Sequence, residues 1–480
     1  MTLSVEYFQK KRTTTFNINY QLKSSYLKAL TSAAMIWIQF IILLAMILIG
    51  SRMKGIGLGL MGMVGMLIFV FIFQMKPSDP PIDVLLIILS VVTTAATLQA
   101  AGGMDYLVEL AGKLLRRKPA LITLMGPLVT YSFTLFAGTS HVNYSLLPII
   151  AEVATQKKIR PERPLSISVI AAHLGITSSP VSAATATMLT LATHPSITLA
   201  NILMICIPST IIGTLAGVAV SWNMGKNLDK DPEFLEKMKD PAFAKALTAS
   251  SAGSIELKKG AKTSVLIFAV AFLLIVIAGA FPHLLPSFAP GVENLSVSAK
   301  GTIKMAVVIE FIMLAAAAAI VLITKTTTGE VAKASLFNSG AQAVVSILGV
   351  VWMSATFMSH NAAPIEAALG DMVRSYNWTF AIALFLLSAL LFSQAATVRA
   401  LMPLGVMLGI SPAYLVAMFP AVNGDFVLPG YPTLLAAIQF DRTGTTRIGK
   451  YLVNHSFMIP GLVAVTVSVI AGFALAALIM

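Results

Sequence analysis

The 480-residue sequence predicts an all-α polytopic membrane protein: two inverted-topology repeats, about ten transmembrane helices in all, plus two re-entrant helical hairpins. Three observations carry that expectation. First, 57% of the residues are hydrophobic and only 11% charged, with a mean hydropathy of +0.86, against roughly 25% charged in a soluble domain. A water-facing surface so poor in charge would not stay in solution. A soluble enzyme, a disordered chain and a nucleic-acid binder are therefore excluded as the main reading. Second, the uncharged runs fall into two sets with the same order. Third, Lys and Arg gather on one side of the spans so defined, which accounts for the net charge of +13 without a nucleic-acid partner. A single cysteine, Cys206, excludes an intramolecular disulfide and a multi-cysteine metal site.

A span needs about 20 mostly apolar residues. Met35–Gly50, Gly55–Gln74 and Val84–Met104 supply the first three. Gly55, Gly57, Gly59, Gly62 and Gly65 in the second read as close helix packing rather than a phosphate loop, since no Lys-Ser/Thr follows. Asp105–Arg117 reads as an amphipathic interfacial helix. Pro119–Ala151 is 33 residues without a charge. As one helix it would be about 50 Å long at 1.5 Å per residue, too long for one span and too short for two. A re-entrant hairpin solves this, with its tip at Gly138-Thr139-Ser140-His141. Pro164–Gly225, 62 uncharged residues, holds two spans. Ser178-Ser179-Pro180 breaks the first, because proline removes a backbone donor. Lys226–Lys262 mixes both signs of charge and reads as a cytoplasmic loop joining a first repeat, 35–225, to a second, 263–480.

The second repeat begins with Thr263–Phe281, Thr302–Thr324 and Ala334–Met358. Asn377–Gly409 is again 33 residues long, with Ser393-Gln394-Ala395-Ala396-Thr397 at its tip and Arg399 as its one charge. Ala413–Phe440 is interrupted by Leu428-Pro429-Gly430-Tyr431-Pro432, and Tyr451–Met480 closes the chain. The offsets between the halves agree: 253 residues from Ser140 to Ser393, 255 from Pro148 to Pro403, and 252 from Pro180 to Pro432, or 249 if Pro429 is the partner.

Lys113, Arg116, Arg117 and Lys118, then Lys157, Lys158, Arg160 and Arg163, flank the first hairpin and place that side in the cytoplasm. Counting spans outward puts both termini on the outer face. The second hairpin then enters from outside, an inverted repeat of the kind secondary transporters use. Residues 1–34 disobey: Lys10, Lys11, Arg12, Lys23 and Lys28 stand against Glu6 alone in a segment assigned outside. The segment reads as an N-terminal extension, and the charge conflict makes Met35 the expected native start.

Unpaired backbone inside hydrocarbon persists only where it lines a polar cavity or is buried in protein. The four breaks, Thr139–His141, Ser178–Pro180, Gln394–Thr397 and Pro429–Pro432, are therefore the candidate site. Each offers a half-helix N-terminus with free N–H groups and a positive dipole end, which suits carboxylates. Hydroxyls at Thr139, Ser140, Ser178, Ser179, Ser393 and Thr397 add neutral donors. Two related half-sites suit a ligand with two similar anionic ends, such as a short dicarboxylate. Arg399 reads either as a bidentate partner of a substrate carboxylate or as the structural partner of Asp425. His173 reads as a hydrogen-bonded structural histidine; His141, at the tip, stays open between that and a proton relay. A cation exchanger would need more intramembrane acids. A membrane hydrolase would need an acid to orient its histidine.

Several stretches carry a family resemblance. They are Ala101-Gly102-Gly103-Met104-Asp105-Tyr106-Leu107, Lys113-Leu114-Leu115-Arg116-Arg117, Leu135-Phe136-Ala137-Gly138-Thr139, Ile159-Arg160-Pro161-Glu162-Arg163-Pro164, the Ser393–Thr397 tip, Leu428-Pro429-Gly430-Tyr431-Pro432-Thr433, and the run from Asp441 to Lys450. Through them the chain resembles the anaerobic C4-dicarboxylate (Dcu) transporters of bacterial inner membranes, from about Met35 to the end. It is most similar to the DcuA type, through Arg399-Ala400-Leu401-Met402-Pro403 and Leu257–Val265. Residues 1–34 have no family counterpart, and Gly430 and Asp425 stand where the family pattern has Thr and an apolar residue.

The resemblance implies exchange or uptake of fumarate, succinate, malate and aspartate, with no enzymatic activity, cofactor or metal. It also implies a multi-pass inner-membrane protein in contact with lipid, and a homodimer by analogy with the divalent-anion transporter superfamily, whose transport domain moves as an elevator. The DcuA likeness argues against a sensor-kinase partner. The substrate-binding residues it points to are Gly138, Thr139, Ser140, His141, Ser178, Ser179, Ser393, Gln394, Thr397, Arg399, Pro429, Gly430 and Thr433.

Overall fold

A computed structural model describes residues 35–480, apart from 48, 51, 52, 54, 55, 81, 141, 142, 191–196, 249–256, 292, 293, 295, 429 and 450–453. The extension 1–34, His141 and Pro429 thus lie outside the described residues.

The first helices are α1 (Met35–Ile47), α2 (Gly57–Leu67, continued by a π turn, Ile68–Ile72), α3 (Ile82–Ala100) and the amphipathic α4 (Gly103–Arg117). The α3–α4 pair is bent by 72°. As expected of its glycines, α2 packs along a long helix further down the chain, α15 (Ser335–Ser375). A side chain at Gly59 or Gly62 would strike the backbone of Val345 or Gly349, and glycine permits that approach.

The first hairpin is α5 (Ile122–Ala137) and α6 (Asn143–Gln156). The first broken span is α7 (Glu162–Ser178) and α8 (Ala183–Thr190), followed by α9 (Leu199–Ser221). The connecting loop folds into two short helices, α10 (Pro232–Lys237) and α11 (Pro241–Thr248). Then come α12 (Ala261–Ala280), α13 (Met305–Thr324), the short α14 (Thr328–Lys333) and α15. The second hairpin is α16 (Thr379–Leu391) and α17 (Gln394–Met407). The second broken span is α18 (Pro412–Met418), extended by a 3-10 turn to Val422, and α19 (Pro432–Phe440); α20 (Met458–Ile479) ends the chain.

Two differences from the sequence reading stand out. Seven described helices are long and apolar enough to cross a membrane, or eight if the bent α3–α4 pair is one span, rather than about ten. Thr379–Leu391 and Pro412–Val422 are apolar but shorter than a span, while Met35–Ile47 and Gly59–Ile72 border residues outside the described ones. Second, α15 runs on to Ser375, past Met358 where the expected span ends and into a charge-bearing stretch. Glu366, Ala367, Ala368 and Leu369 there are good helix formers, so the helix continues past the point where hydrophobicity ends.

The cores divide along the same lines. One cluster joins α7 to the hairpin arms, with Leu146, Leu165, Ile170, Leu174, Phe426 and Leu434 fully buried. The helices that close each half, α9 and α20, pack face to face. Near their crossing a side chain at Gly213 would strike Ser468.

Candidate functional site

The first hairpin turns at Gly138, whose φ of +73° places it in the left-handed region that glycine adopts without strain. A side chain there would also collide with the carbonyl of Val181, at 2.7 Å. The tip therefore sits against the first break at backbone distance. Ser140 is buried and makes a polar contact with the Tyr431 phenol of the second break. Thr139 is half-buried and lines a cavity of about 120 Å³ with Ile88, Val91, Val92, Ala183 and Gly340, between the tip and helices α3 and α15.

The second hairpin turns at Phe392, left-handed at φ +50° although it is not glycine. Ser393 then caps α17, its Oγ accepting the Ala396 N–H at 3.2 Å. Ser388 on the first arm ties the hairpin to the second break by accepting the Gly424 N–H at 2.8 Å. The two broken spans differ in width. Four residues, 179–182, separate α7 from α8, and nine, 423–431, separate the turn ending at Val422 from α19. The wider break brings Asn423, Asp425 and Tyr431 into the protein.

One buried polar network joins these parts. His173 Nδ1 lies 3.0 Å from Asp425 Oδ1, and its Nε2 lies 2.8 Å from Thr433 Oγ1. With the carboxylate accepting, Nδ1 carries the ring proton and Nε2 accepts from the Thr433 hydroxyl. Gln394 Nε2 donates to Asp425 Oδ2 at 2.9 Å and to Asn423 Oδ1 at 3.3 Å. Asn423 Nδ2 reaches Thr177 Oγ1 at 3.4 Å. His173, Asp425, Asn423, Thr177 and Thr433 have no solvent exposure. Above them the Tyr431 ring stands edge-on to His173, with centroids 4.7 Å apart, and 6.4 Å from Phe392.

The residues singled out from sequence therefore separate. Gln394 and Thr433 meet in the network, and Ser140 meets Tyr431, whose ring packs against His173. His173 is the hydrogen-bonded histidine expected. Ser178 instead faces α9, with Oγ 2.7 Å from Thr210 Oγ1 and 3.1 Å from the Cys206 carbonyl it donates to. Ser179 Oγ accepts the Val181 N–H at 3.3 Å within its own turn. Thr397 donates to the Ser393 carbonyl at 2.8 Å. These hydroxyls hold the breaks in shape. Arg399 is half-buried on α17, and Asp425 carries His173 and Gln394 as its hydrogen-bond partners. Gly430 is exposed at the second break. Asn423, Tyr431, Thr177 and Ser182, which caps α8 by accepting the Thr185 N–H at 3.1 Å, were not anticipated. Only Asn423-Gly424-Asp425, a polar turn triplet inside an apolar run, carried a readable signal.

Among known proteins, residues 35–480 match the family model described as "Anaerobic c4-dicarboxylate membrane transporter". A protein of Escherichia coli O6:H1 named anaerobic C4-dicarboxylate transporter DcuB is 42% identical over 448 residues, 92% of this chain and 98% of that one. The C4-dicarboxylate transporter DcuA of Wolinella succinogenes is 40% identical over 447 residues, 93% and 100% of the two chains. Identity does not separate the two types. The fold is similar to that of Neisseria gonorrhoeae MtrF, described as illuminating a class of antimetabolite efflux pumps, with a TM-score of 0.51 at 14% identity over 87% of this chain and 85% of that one.

Proposed function

This chain belongs to the anaerobic C4-dicarboxylate membrane transporter family, and from that premise we propose that it exchanges or takes up fumarate, succinate, malate and aspartate across the bacterial inner membrane. The observation that carries the reading is the buried polar network shared by His173, the second hairpin tip and the second break, with the first tip meeting Tyr431 of that same break. Polar groups and interrupted helices are tolerated at that depth where a polar ligand is handled.

The substrate lies between the tips, Gly138–Ser140 on one side and Ser393-Gln394 on the other, with Thr433 and Arg399 flanking. The positive ends of α6, α17 and α19 face its carboxylates. At the start of α19, Pro432 stands in the first turn and no side chain caps the helix. The two repeats lie in opposite orientation, both termini are periplasmic, and the protein works as a homodimer whose hairpin-bearing body moves against the α2–α3–α13–α15 body. Transport needs no sensor-kinase partner.

The test is counterflow in proteoliposomes. Labelled succinate outside should exchange with unlabelled fumarate inside and be competed by malate and aspartate. Absence of exchange with any C4-dicarboxylate removes the reading.

A further inference from the structure

We propose that the Asn143 carboxamide is a substrate-binding group that reads one end of the dicarboxylate, an assignment that rests on the transport reading above. Asn143 is fully buried, and neither its Nδ2 nor its Oδ1 has a hydrogen-bond partner. The other orphaned buried side chains among the described residues, Thr134, Ser168, Thr214 and Thr446, are hydroxyls with one atom each. Burying a carboxamide with both donor and acceptor unmet is costly, and such a group persists where something else completes it.

Its place in the fold says what that something is. Asn143 is the first described residue of α6, three residues after Ser140 at the first hairpin tip. Ser140 contacts Tyr431, so the start of α6 stands beside the point where the first tip meets the second break.

The second half supplies an internal control. Its hairpin also carries a carboxamide near the start of its second arm, Gln394, one residue after Ser393 where Asn143 stands three after Ser140. Gln394 is satisfied inside the protein by Asp425 and Asn423, whereas Asn143 is not. The second tip thus uses its amide to build the site, and the first tip keeps its amide for the ligand.

The chemistry follows from the group. Nδ2 donates to a carboxylate oxygen, and Oδ1 accepts from a hydroxyl or ammonium hydrogen. The site therefore takes C4-dicarboxylates generally and gains most from those carrying a hydroxyl or amino group at C2. An analogue without that group leaves Oδ1 unpaired, which is how a polar site discriminates.

The experiment compares wild type with Asn143→Leu and Asn143→Asp in proteoliposomes, using counterflow of labelled succinate and labelled aspartate. Thermal melts in detergent accompany it, with and without each substrate. Asn143→Leu removes the orphaned amide, so without substrate it should melt above wild type. Its KM should rise about tenfold or more, most for aspartate, and substrate should no longer raise its melting point. A merely structural asparagine would give the opposite melt. Should Asn143→Leu not fold, Asn143→Asp keeps the shape, sets a carboxylate against the dianion and should also raise KM. Wild-type exchange with unchanged KM for both substrates in the folded variants overturns the proposal. Failure of wild type to exchange overturns the transport reading instead.

Discussion

His173 Nδ1 lies 3.0 Å from Asp425 Oδ1, tying α7 of the first repeat to the wide break of the second through two side chains with no solvent exposure. Thr433 and Gln394 complete the pair on either side. A buried hydrogen-bonded pair contributes little over an apolar replacement, but removing one member leaves the other buried without its partner, at about 1–3 kcal/mol. Asp425→Leu and His173→Leu should each lower the melting point sharply. The double substitution should cost less than the sum of the singles. Additive melting shifts would show that the two do not act as a unit.

Gly138 carries the approach of the first tip to the first break. Gly138→Ala adds about 1–2 kcal/mol for a left-handed alanine, on top of contact with the Val181 carbonyl. The tip must then lift away from that break. Counterflow should fall by tenfold or more. A matched substitution at Gly409, also left-handed but with open space around it, should leave counterflow near wild type.

How much of this was readable in advance depends on what each feature answers to. The hairpins follow from the bilayer's thickness: the 33-residue runs from Pro119, without a charge, and from Asn377, with Arg399 alone, fit neither one span nor two. The breaks follow from proline chemistry at Pro180 and Pro432. The direction in which a hydroxyl points follows from neither. Ser178 and Thr433 are both small polar residues beside a break, yet one bonds to α9 and the other to His173. Tyr431 stood in the sequence only as one residue of the second break; its role depends on meeting Ser140, 291 positions earlier. The end of α15 was missed because charge marks where a helix leaves hydrocarbon, and Glu366 and Asp371 do so without ending the helix.

Outside the spans, Glu330 gives a pH prediction. Its carboxylate accepts the Thr327 N–H at 3.0 Å and the Lys258 ammonium at 3.0 Å, and these contacts, the backbone one foremost, hold its pKa below the usual value of 4.5. A depressed carboxylate stabilises its surroundings fully above the unfolded value and loses that contribution as pH falls through the folded one. Amide exchange across α14, corrected for intrinsic rate, should be flat from pH 8 to about pH 5 and accelerate below. Glu330→Gln should exchange fast throughout, without the acid step. An acid step of the same size in that variant would assign it to another group.

Arg160 anchors the loop that joins the two halves. Its guanidinium donates to Glu162 at 2.6 Å and to Asp231, with the Arg160 and Asp231 side chains each only 11% exposed. Asp231 also caps α10 by accepting the Glu233 N–H at 3.1 Å, and the Leu228 N–H donates to the Lys158 carbonyl at 2.9 Å. Asp231→Ala removes a charge-assisted hydrogen bond and a helix cap together, about 2–3 kcal/mol of local stability. Trypsin should then cut at Lys230, Lys237 and Lys239 faster than in wild type. The nearby Lys239–Glu236 pair, 72% exposed on both sides, contributes within about 0–1 kcal/mol, so Glu236→Ala should not change the rate. Cleavage in inside-out vesicles and not in right-side-out ones would place the loop in the cytoplasm, as the Lys and Arg distribution requires. The reverse pattern would invert the whole topology while leaving the Arg160 anchor intact.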